Sequence, residues 1–344
     1  MKTPKLTSLE VAQLAQVSQA TVSRALRDSP LVKPETRARV QEIARELHYR
    51  TDRNAARLRT QKSRTLALLL FEESPDEGQI NPFFLSMLGH IARSAARRSF
   101  DLLVSFQQLS EDWHTDYELS NRADGMILLG YGDYLNYTER LRVLAETEAH
   151  FVIWGPVIES QPGHYVCCDN VLGARLAARH LLEQGRRRIA FAGGASDHCP
   201  EFQLRHRGYS EALREAGLEP DEGLHAEAES NEADGYQAGL QLLDSGKPFD
   251  AVLAASDLIA MGVIHALQDR GRAVPQDVAV TGFDDIASAA DFNPPLTTVH
   301  QDTRLAGEQL VENVIRLIEG QPVEPTLIVP KLVVRASCGS RSAG

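Results

Sequence analysis

Beyond Thr65 the sequence alternates between short unbroken apolar runs and longer amphipathic stretches, and this alternation restricts the fold more than any other feature. The apolar runs are TLALLLF (65–71), FDLLVSF (100–106), GMILLG (125–130), HFVIWG (150–155), RIAFAGG (188–194), AVLAAS (251–256) and VAVTGFDD (278–285), with a shorter candidate near 224–229. Between them, helical periodicity predicts helices over 84–98, 134–146, 170–184, 203–216, 232–245, 257–270 and 303–319. A strand without polar alternation is covered on both faces, and helices between such strands supply the cover, so the pattern specifies parallel α/β sheets. A chain of 344 residues is too long for one ordinary core. The number of strands favours two lobes over one sheet.

The first fifty residues follow a different rule. Thr7 to Leu26 (TSLEVAQLAQVSQATVSRAL) reads as two short helices joined by a tight turn. Thr7 is placed to cap the first helix and Glu10 to return the bond, with Val11, Leu14 and Ala15 as the apolar stripe. Ser18 caps the second, which turns Val22, Ala25 and Leu26 inward and leaves Gln19, Ala20, Thr21, Ser23 and Arg24 outward. Short hydroxyls and forked hydrogen-bonders suit phosphates and base edges in a major groove. Pro34 starts a third helix, Glu35 to His48, with Val40, Ile43, Ala44 and Leu47 inward. The competing reading is a small solvated helical hairpin. Charge weighs against it: residues 1–64 hold 14 Lys+Arg against 6 Asp+Glu, whereas the remaining 280 hold 22 against 41. A basic head on an acidic body confines polyanion contact to one end.

Residues 50–62 (RTDRNAARLRTQK) are basic and nearly free of apolar groups. So short a helix is unstable alone. It reads either as an inert linker or as a segment that folds on DNA, with Arg57 and Arg59 on phosphates and Leu58 as a minor-groove wedge. A lone leucine among charges has no core to join, which favours the wedge.

Other classes find no support. Lys2 and Lys5 run straight into the capped helix without a signal-like apolar region, and no apolar run reaches the ~18 residues of a spanning helix; the expected location is cytoplasmic and nucleoid-associated. Cys167, Cys168, Cys199 and Cys338 form no C-x-x-C, the 11 histidines show no ligand spacing, and the expectation is reduced thiols, no metal and no cofactor. There is no G-x-S-x-G, P-loop or Ser-His-Asp arrangement, and GGASDH (193–198) lacks dinucleotide-binding spacing, so no enzyme is expected.

Seven segments in fixed order carry a resemblance: VSQATVSRAL (17–26), VKPETRARVQEIARELHY (32–49), NPFF (81–84), HLLEQGRRRIAFAGG (180–194), ASDLIAMG (255–262), GFDD (282–285) and PPLTTVHQD (294–302). Nearly the whole chain resembles the lactose/galactose repressor (LacI/GalR) family of bacterial transcription regulators. The resemblance implies an N-terminal all-α helix-turn-helix headpiece on an α/β core of two doubly wound parallel-sheet lobes, like periplasmic sugar-binding proteins. The expected divisions are a headpiece at 1–50, a hinge at 51–63, a first lobe at 64–161 with 301–325, and a second at 162–300 with 326–338. It also implies a homodimer on a near-palindromic operator. Gln19 and Ala20 stand where these repressors choose bases, and Arg24 matches the base-reading arginine. Ser18, Thr21, Ser23 and Tyr49 match backbone-contacting positions, and Ala55 and Leu58 the hinge residues that pry open the operator.

Three departures stand out. Gln16 occupies a turn position usually held by Gly, Lys33 replaces a Ser cap, and Thr51-Asp52 replaces a Pro-Asn pair. The short tail after Val334 has no leucine heptad, so a dimer is expected and not a tetramer.

For the cleft, the resemblance implies that Arg205, Asp284 and Gln301 bind an effector, with Ser256 at a position held by Asn in the lactose repressor type. Phe83, and more weakly Trp154, are candidates for stacking on a sugar face. Each has a plain alternative: Asp284 and Asp285 as helix caps, Arg205 in a surface ion pair, Gln301 as a solvated amide, Trp154 as core. Asp169-Asn170 reads as a helix cap, and Arg186-Arg187-Arg188 as a solvated turn. The expected function is sequence-specific regulation, most simply repression, switched by a small sugar-like effector. A purine-type corepressor and a solute-binding protein are the alternatives.

Overall fold

The computed structural model describes residues 7–26, 28–47, 49, 62–71, 80–130, 134–157 and 162–339. The chain divides into two units, one up to Ser63 and one from Arg64 onward.

The first unit contains α1 (Ser8–Leu14), α2 (Gln19–Ala25) and α3 (Pro34–Glu46). Val11, Ala12, Ala15, Val22, Ala25, Val32 and Val40 form its core. Leu14, expected in the stripe, is 60% exposed, and Ala12 takes its place. Leu14 lies on the flank of α1 opposite Ala12, away from the face that Val11, Ala12 and Ala15 turn inward. The Glu10 carboxylate accepts from both the Thr7 backbone N–H (2.7 Å) and its hydroxyl (3.0 Å). Ser18 caps α2 by accepting from the Thr21 N–H at 3.1 Å. Lys33 makes no side-chain cap, and α3 relies on Pro34 at its first position.

The turn after α1 explains Gln16. The Val17 N–H returns to the Ala12 carbonyl and the Gln16 N–H to that of Gln13. This pair of bonds closes the helix only if the residue between is left-handed, and Gln16 has φ of 51°. Gln16→Gly should therefore stabilise the headpiece by about 1 kcal/mol, the left-handed cost for a residue with a Cβ less the added chain entropy. Calorimetry of the full chain should show the headpiece transition raised by a few degrees; an unchanged or lowered transition would contradict the assignment of strain.

The second unit is built on two six-stranded sheets. The first lobe contains β1 (Thr65–Leu70), α4 (Pro82–Arg97), β2 (Asp101–Phe106), β3 (Gly125–Leu129), α5 (Tyr134–Glu146), β4 (Phe151–Trp154) and β5 (His164–Cys168). A π-helical turn, His114–Leu119, precedes β3. The second lobe contains α6 (Asn170–Glu183), β6 (Ile189–Ala192), α7 (Pro200–Glu215), β7 (His225–Ala226), α8 (Glu232–Asp244), β8 (Ala251–Ala254), α9 (Asp257–Asp269), β9 (Ala279–Asp284), α10 (Ala287–Asp291) and β10 (Thr297–His300). The chain then returns to the first lobe as α11 (Thr303–Ile318) and β11 (Thr326–Ile328), and ends in the second as β12 (Lys331–Val333). The strand orders are β11-β5-β4-β3-β1-β2 and β12-β10-β9-β8-β6-β7. All pairs are parallel except β10 with β12.

This topology moves the expected lobe boundaries. Residues 164–168 and 326–328 complete the first sheet, so the crossings fall near 169 and 329 and not at 161 and 325. The strands β5, β10, β11 and β12 were not among those expected. Each has at most five residues, and β5 (HYVCC) and β10 (TTVH) lack the long aliphatic runs that mark β1 and β3. Pairing with a preformed sheet, more than local preference, makes them strands.

All four cysteines are free, and burial pushes the Cys167 and Cys168 thiols up to about 11 and about 12. Arg186 is no solvated turn residue: it donates to the carbonyls of Asp250 (3.1 Å) and Pro275 (2.6 Å). Among the described residues no helix is long and apolar enough to cross a membrane.

Candidate functional site

Two sites are legible, one in each unit. In the headpiece, Ser18, Gln19, Ala20 and Arg24 are exposed, and Thr21 and Ser23 are half-buried. Val22 and Ala25 hold the opposite face of α2 in the core, so the polar face is presented on a fixed scaffold. The Ser18 hydroxyl lies 2.9 Å from that of Thr21, and the Gln19 amide donates to the Ser8 hydroxyl at 3.3 Å. Tyr49 is half-buried and packs partly against the headpiece core. Ala55 and Leu58 lie outside the described residues.

The second site lies at the carboxyl ends of the second-lobe strands, where parallel sheets place their ligands. Arg205 projects from α7 and is 5% exposed. Its Nε donates to Asn170 Oδ1 at 2.8 Å, its Nη1 to the Ala255 carbonyl, and Nη1 lies 3.5 Å from Asp284 Oδ1. The guanidinium stacks on the Phe283 ring, 3.8 Å from its centroid. These contacts use Nε and Nη1 and leave Nη2 without a partner among the described residues.

Asp284 ends β9, and Gln301 donates to its Oδ1 at 2.7 Å. Asp284 has φ of 117° and Asp285 φ of 56°, a strained pair that turns the two carboxylates in different directions. Asp285 binds His300 (2.9 Å) and Arg335 (2.7 Å), and these partners hold its carboxyl below the usual range against the effect of burial. Neither residue is a helix cap, since Ile286 holds that position for α10. Arg205 is no surface ion pair and Gln301, 2% exposed, no solvated amide.

Burial pushes the Asp284 carboxyl up to about 6, with Arg205 and Gln301 opposing. Asp257 is more deeply enclosed, and burial raises its carboxyl further, with Asp284 adding to the rise. It accepts from the Ile286 N–H at 2.9 Å and from the Thr298 hydroxyl. Only Asp284 has a cation beside it. The cation beside Asp284 therefore favours its ionised form over that of Asp257.

Ser256 is fully buried and caps α9, accepting from the Ile259 N–H at 3.3 Å. Its side chain serves the helix, which removes much of the case for it as a ligand group. Phe83 is 5% exposed and packs into the first-lobe core beside Trp154 (5.7 Å between ring centroids) and Phe84 (5.5 Å). Trp154 is likewise core. The half-exposed ring is Phe84, next to Gly130 at the carboxyl end of β3.

Sequence reasoning missed two residues. Asn170 was read with Asp169 as a cap, but Asp169 alone caps α6, accepting from the Leu172 N–H at 2.9 Å. Glu201, in the first turn of α7, has its carboxyl pushed up to about 7 by burial, with Arg205 opposing and Asp284 reinforcing. No local motif distinguishes it from an ordinary helix-start glutamate. Away from the connecting segments, hydrogen bonds between described residues that span the lobes include Asn81 Nδ2 to Ser230 Oγ (3.3 Å) and the Tyr134 N–H to the His198 carbonyl (3.1 Å).

Residues 7–52 match the bacterial regulatory proteins of the lacI family, and residues 178–338 the periplasmic binding protein-like domain. The HTH-type transcriptional regulator CelR of Thermobifida fusca is 34% identical over 95% of this chain and 96% of its own. The chain belongs to the LacI family. It is thus a helix-turn-helix transcriptional regulator with a periplasmic-binding-protein-like core. The ribose operon repressor of Escherichia coli K12 is 29% identical over 96% of this chain and 99% of its own. Among solved structures, a CelR–cellobiose complex superposes with a TM-score of 0.72 at 32% identity, covering 96% of this chain and 99% of that one. A lac repressor dimer bound to operator and the anti-inducer ONPF gives 0.82 at 25% identity, covering 97% and 99%.

Proposed function

We propose that this LacI-family regulator is a homodimeric repressor that releases a near-palindromic operator when a neutral mono- or disaccharide fills the cleft. The observation that carries this reading is the buried Arg205–Asp284–Gln301 group. A carboxylate that accepts and a guanidinium edge that donates suit vicinal hydroxyls, which do both. The relatives support the ligand class, one being complexed with cellobiose and another a ribose operon repressor. Ser18, Gln19, Ala20, Thr21, Ser23 and Arg24 read one half-site, Tyr49 braces the backbone, and Ala55 and Leu58 act at the operator centre. The cleft binds and signals without turning over its ligand.

Thermal shift of the full chain against cellobiose, ribose and a wider saccharide panel tests this. A ligand at 100 times its Kd adds about 2.7 kcal/mol, or several degrees in Tm for a unit of this size. A shift with nucleobases and none with saccharides would replace the sugar reading by corepressor control. Sedimentation should show a dimer at micromolar concentration, and a tetramer would contradict the assembly.

The same group predicts a pH dependence of binding. The hydroxyl acceptor is ionised Asp284, so saccharide affinity should be constant above pH 7 and weaken below about pH 6, approaching tenfold per unit. Calorimetric Kd values at pH 5.5, 6.5 and 7.5 check this, and a flat profile would remove Asp284 as the ionised acceptor.

A further inference from the structure

We propose that Asn170 is the positioning residue through which an occupied cleft acts on the connection between the lobes; the inference rests on the effector reading above. Asn170 is the first residue of α6, two positions beyond the end of β5. The chain leaves the first-lobe sheet and enters the second lobe at this point. Asn170 is 4% exposed, and both ends of its amide are engaged. Nδ2 donates to the Cys168 carbonyl, the last of β5, at 3.1 Å. Oδ1 accepts from Arg205 Nε at 2.8 Å. A side chain of this size that donates at one end and accepts at the other has to be an amide. Capping does not explain it, since Asp169 does that work.

The link continues beyond Cys168. Cys168 lies beside Ile328 in the sheet, and the Asp169 N–H donates to the Ile328 carbonyl at 3.0 Å, so the last crossing is joined to the first. Gln301 mirrors Asn170 on the remaining crossing. It lies between β10 and α11, and its amide holds Asp284. Both charged groups of the cleft are thus tied by buried amides to the segments that join the lobes. Breaking such a bond would strand a polar group out of water. A ligand that moves Arg205 therefore moves the end of β5 with it.

Asn170→Asp separates the two halves of this link. The carboxylate still accepts from Arg205 but no longer donates to Cys168, whose carbonyl it now faces. With cellobiose as probe, Asn170→Asp should bind within about threefold of the wild type. The cellobiose-induced loss of operator affinity should shrink at least fivefold. Asn170→Ala frees Arg205 as well and should weaken both. Hydrogen exchange of the ligand-free full chain should rise at 164–170 and 326–330 in Asn170→Asp. If Asn170→Asp fails to accumulate, Asn170→Ser, neutral and too short to reach either Cys168 or Arg205, serves for the exchange measurement, and unchanged exchange at 164–170 in it overturns the tether. Wild-type coupling in Asn170→Asp overturns the proposal, and so does loss of cellobiose binding in proportion to the loss of coupling. If no saccharide binds the wild type, the sugar reading fails separately, and unchanged exchange at 164–170 then overturns the tether.

Discussion

Asp284→Asn should leave ligand-free operator binding within about twofold of the wild type and abolish the response to saccharide. The amide keeps an oxygen for Gln301 but loses the charge that faces Arg205 and accepts the ligand hydroxyls. Two charge-assisted bonds at about 1.5–3 kcal/mol each are weakened, so binding should fall by at least about a hundredfold at about 1.4 kcal/mol per tenfold. The ligand then loses its preference for one lobe arrangement, and without differential affinity no shift follows however much is added. Fluorescence anisotropy on operator DNA, with and without saccharide, reads both halves. A general folding defect predicts a different result. The folded-state pKa of Asp284 lies above the unfolded value, so its contribution to stability is full below about pH 4 and is lost as pH rises through about 6. Near pH 7 the neutral asparagine should therefore hold or raise the Tm of the ligand-free protein. Normal operator release by Asp284→Asn would remove this cleft as the control site.

Arg24→Ala should cost sequence preference and little else. Arg24 is exposed on α2, and the helix is held from its other face by Val22 and Ala25. A bidentate arginine–guanine contact discriminates by about 1–3 kcal/mol, so affinity for the operator should fall roughly 5- to 150-fold while affinity for unrelated DNA changes little. Saccharide binding, which is confined to the other unit, should be untouched. Salt titration separates the two possible roles of this residue. A phosphate contact would weaken all sequences alike and lower the salt slope by about one. That outcome would reassign Arg24 from reading bases to holding the backbone.

Much of the fold was legible because its signals are local. The long aliphatic runs of β1 and β3 have both faces covered whatever lies beyond them, and the sequence shows this directly. The cap at Ser18 and the left-handed demand on Gln16 are also local, since each is set by a few neighbouring residues. The crossings were less legible. β5 and β11 are strands because a sheet edge is waiting for them, and no window of sequence contains both. Leu14 and Ala12 were exchanged for a related reason: Val11 and Ala15 leave open which flank of the stripe turns inward, and packing against the other helices decides it.

The cleft divides in the same way. The resemblance marked Arg205, Asp284 and Gln301, and the three do meet in one buried group. Phe83, a weaker candidate for stacking, turned into the core beside Trp154, and Ser256 was taken up locally as the cap of α9. Asn170 and Glu201 carry no local sign. Asn170 acquires its significance only from lying between Cys168 and Arg205, residues 2 and 35 positions away. The sequence by itself thus determined the classes of element, the basic reading head and the chemistry available to the cleft. Only the tertiary structure decided which carboxylate gains a cation beside it, which side chains hold a neighbour in place and where the chain crosses between lobes. Those outcomes depend on burial and hydrogen-bond distance, which exist only after distant segments have packed together.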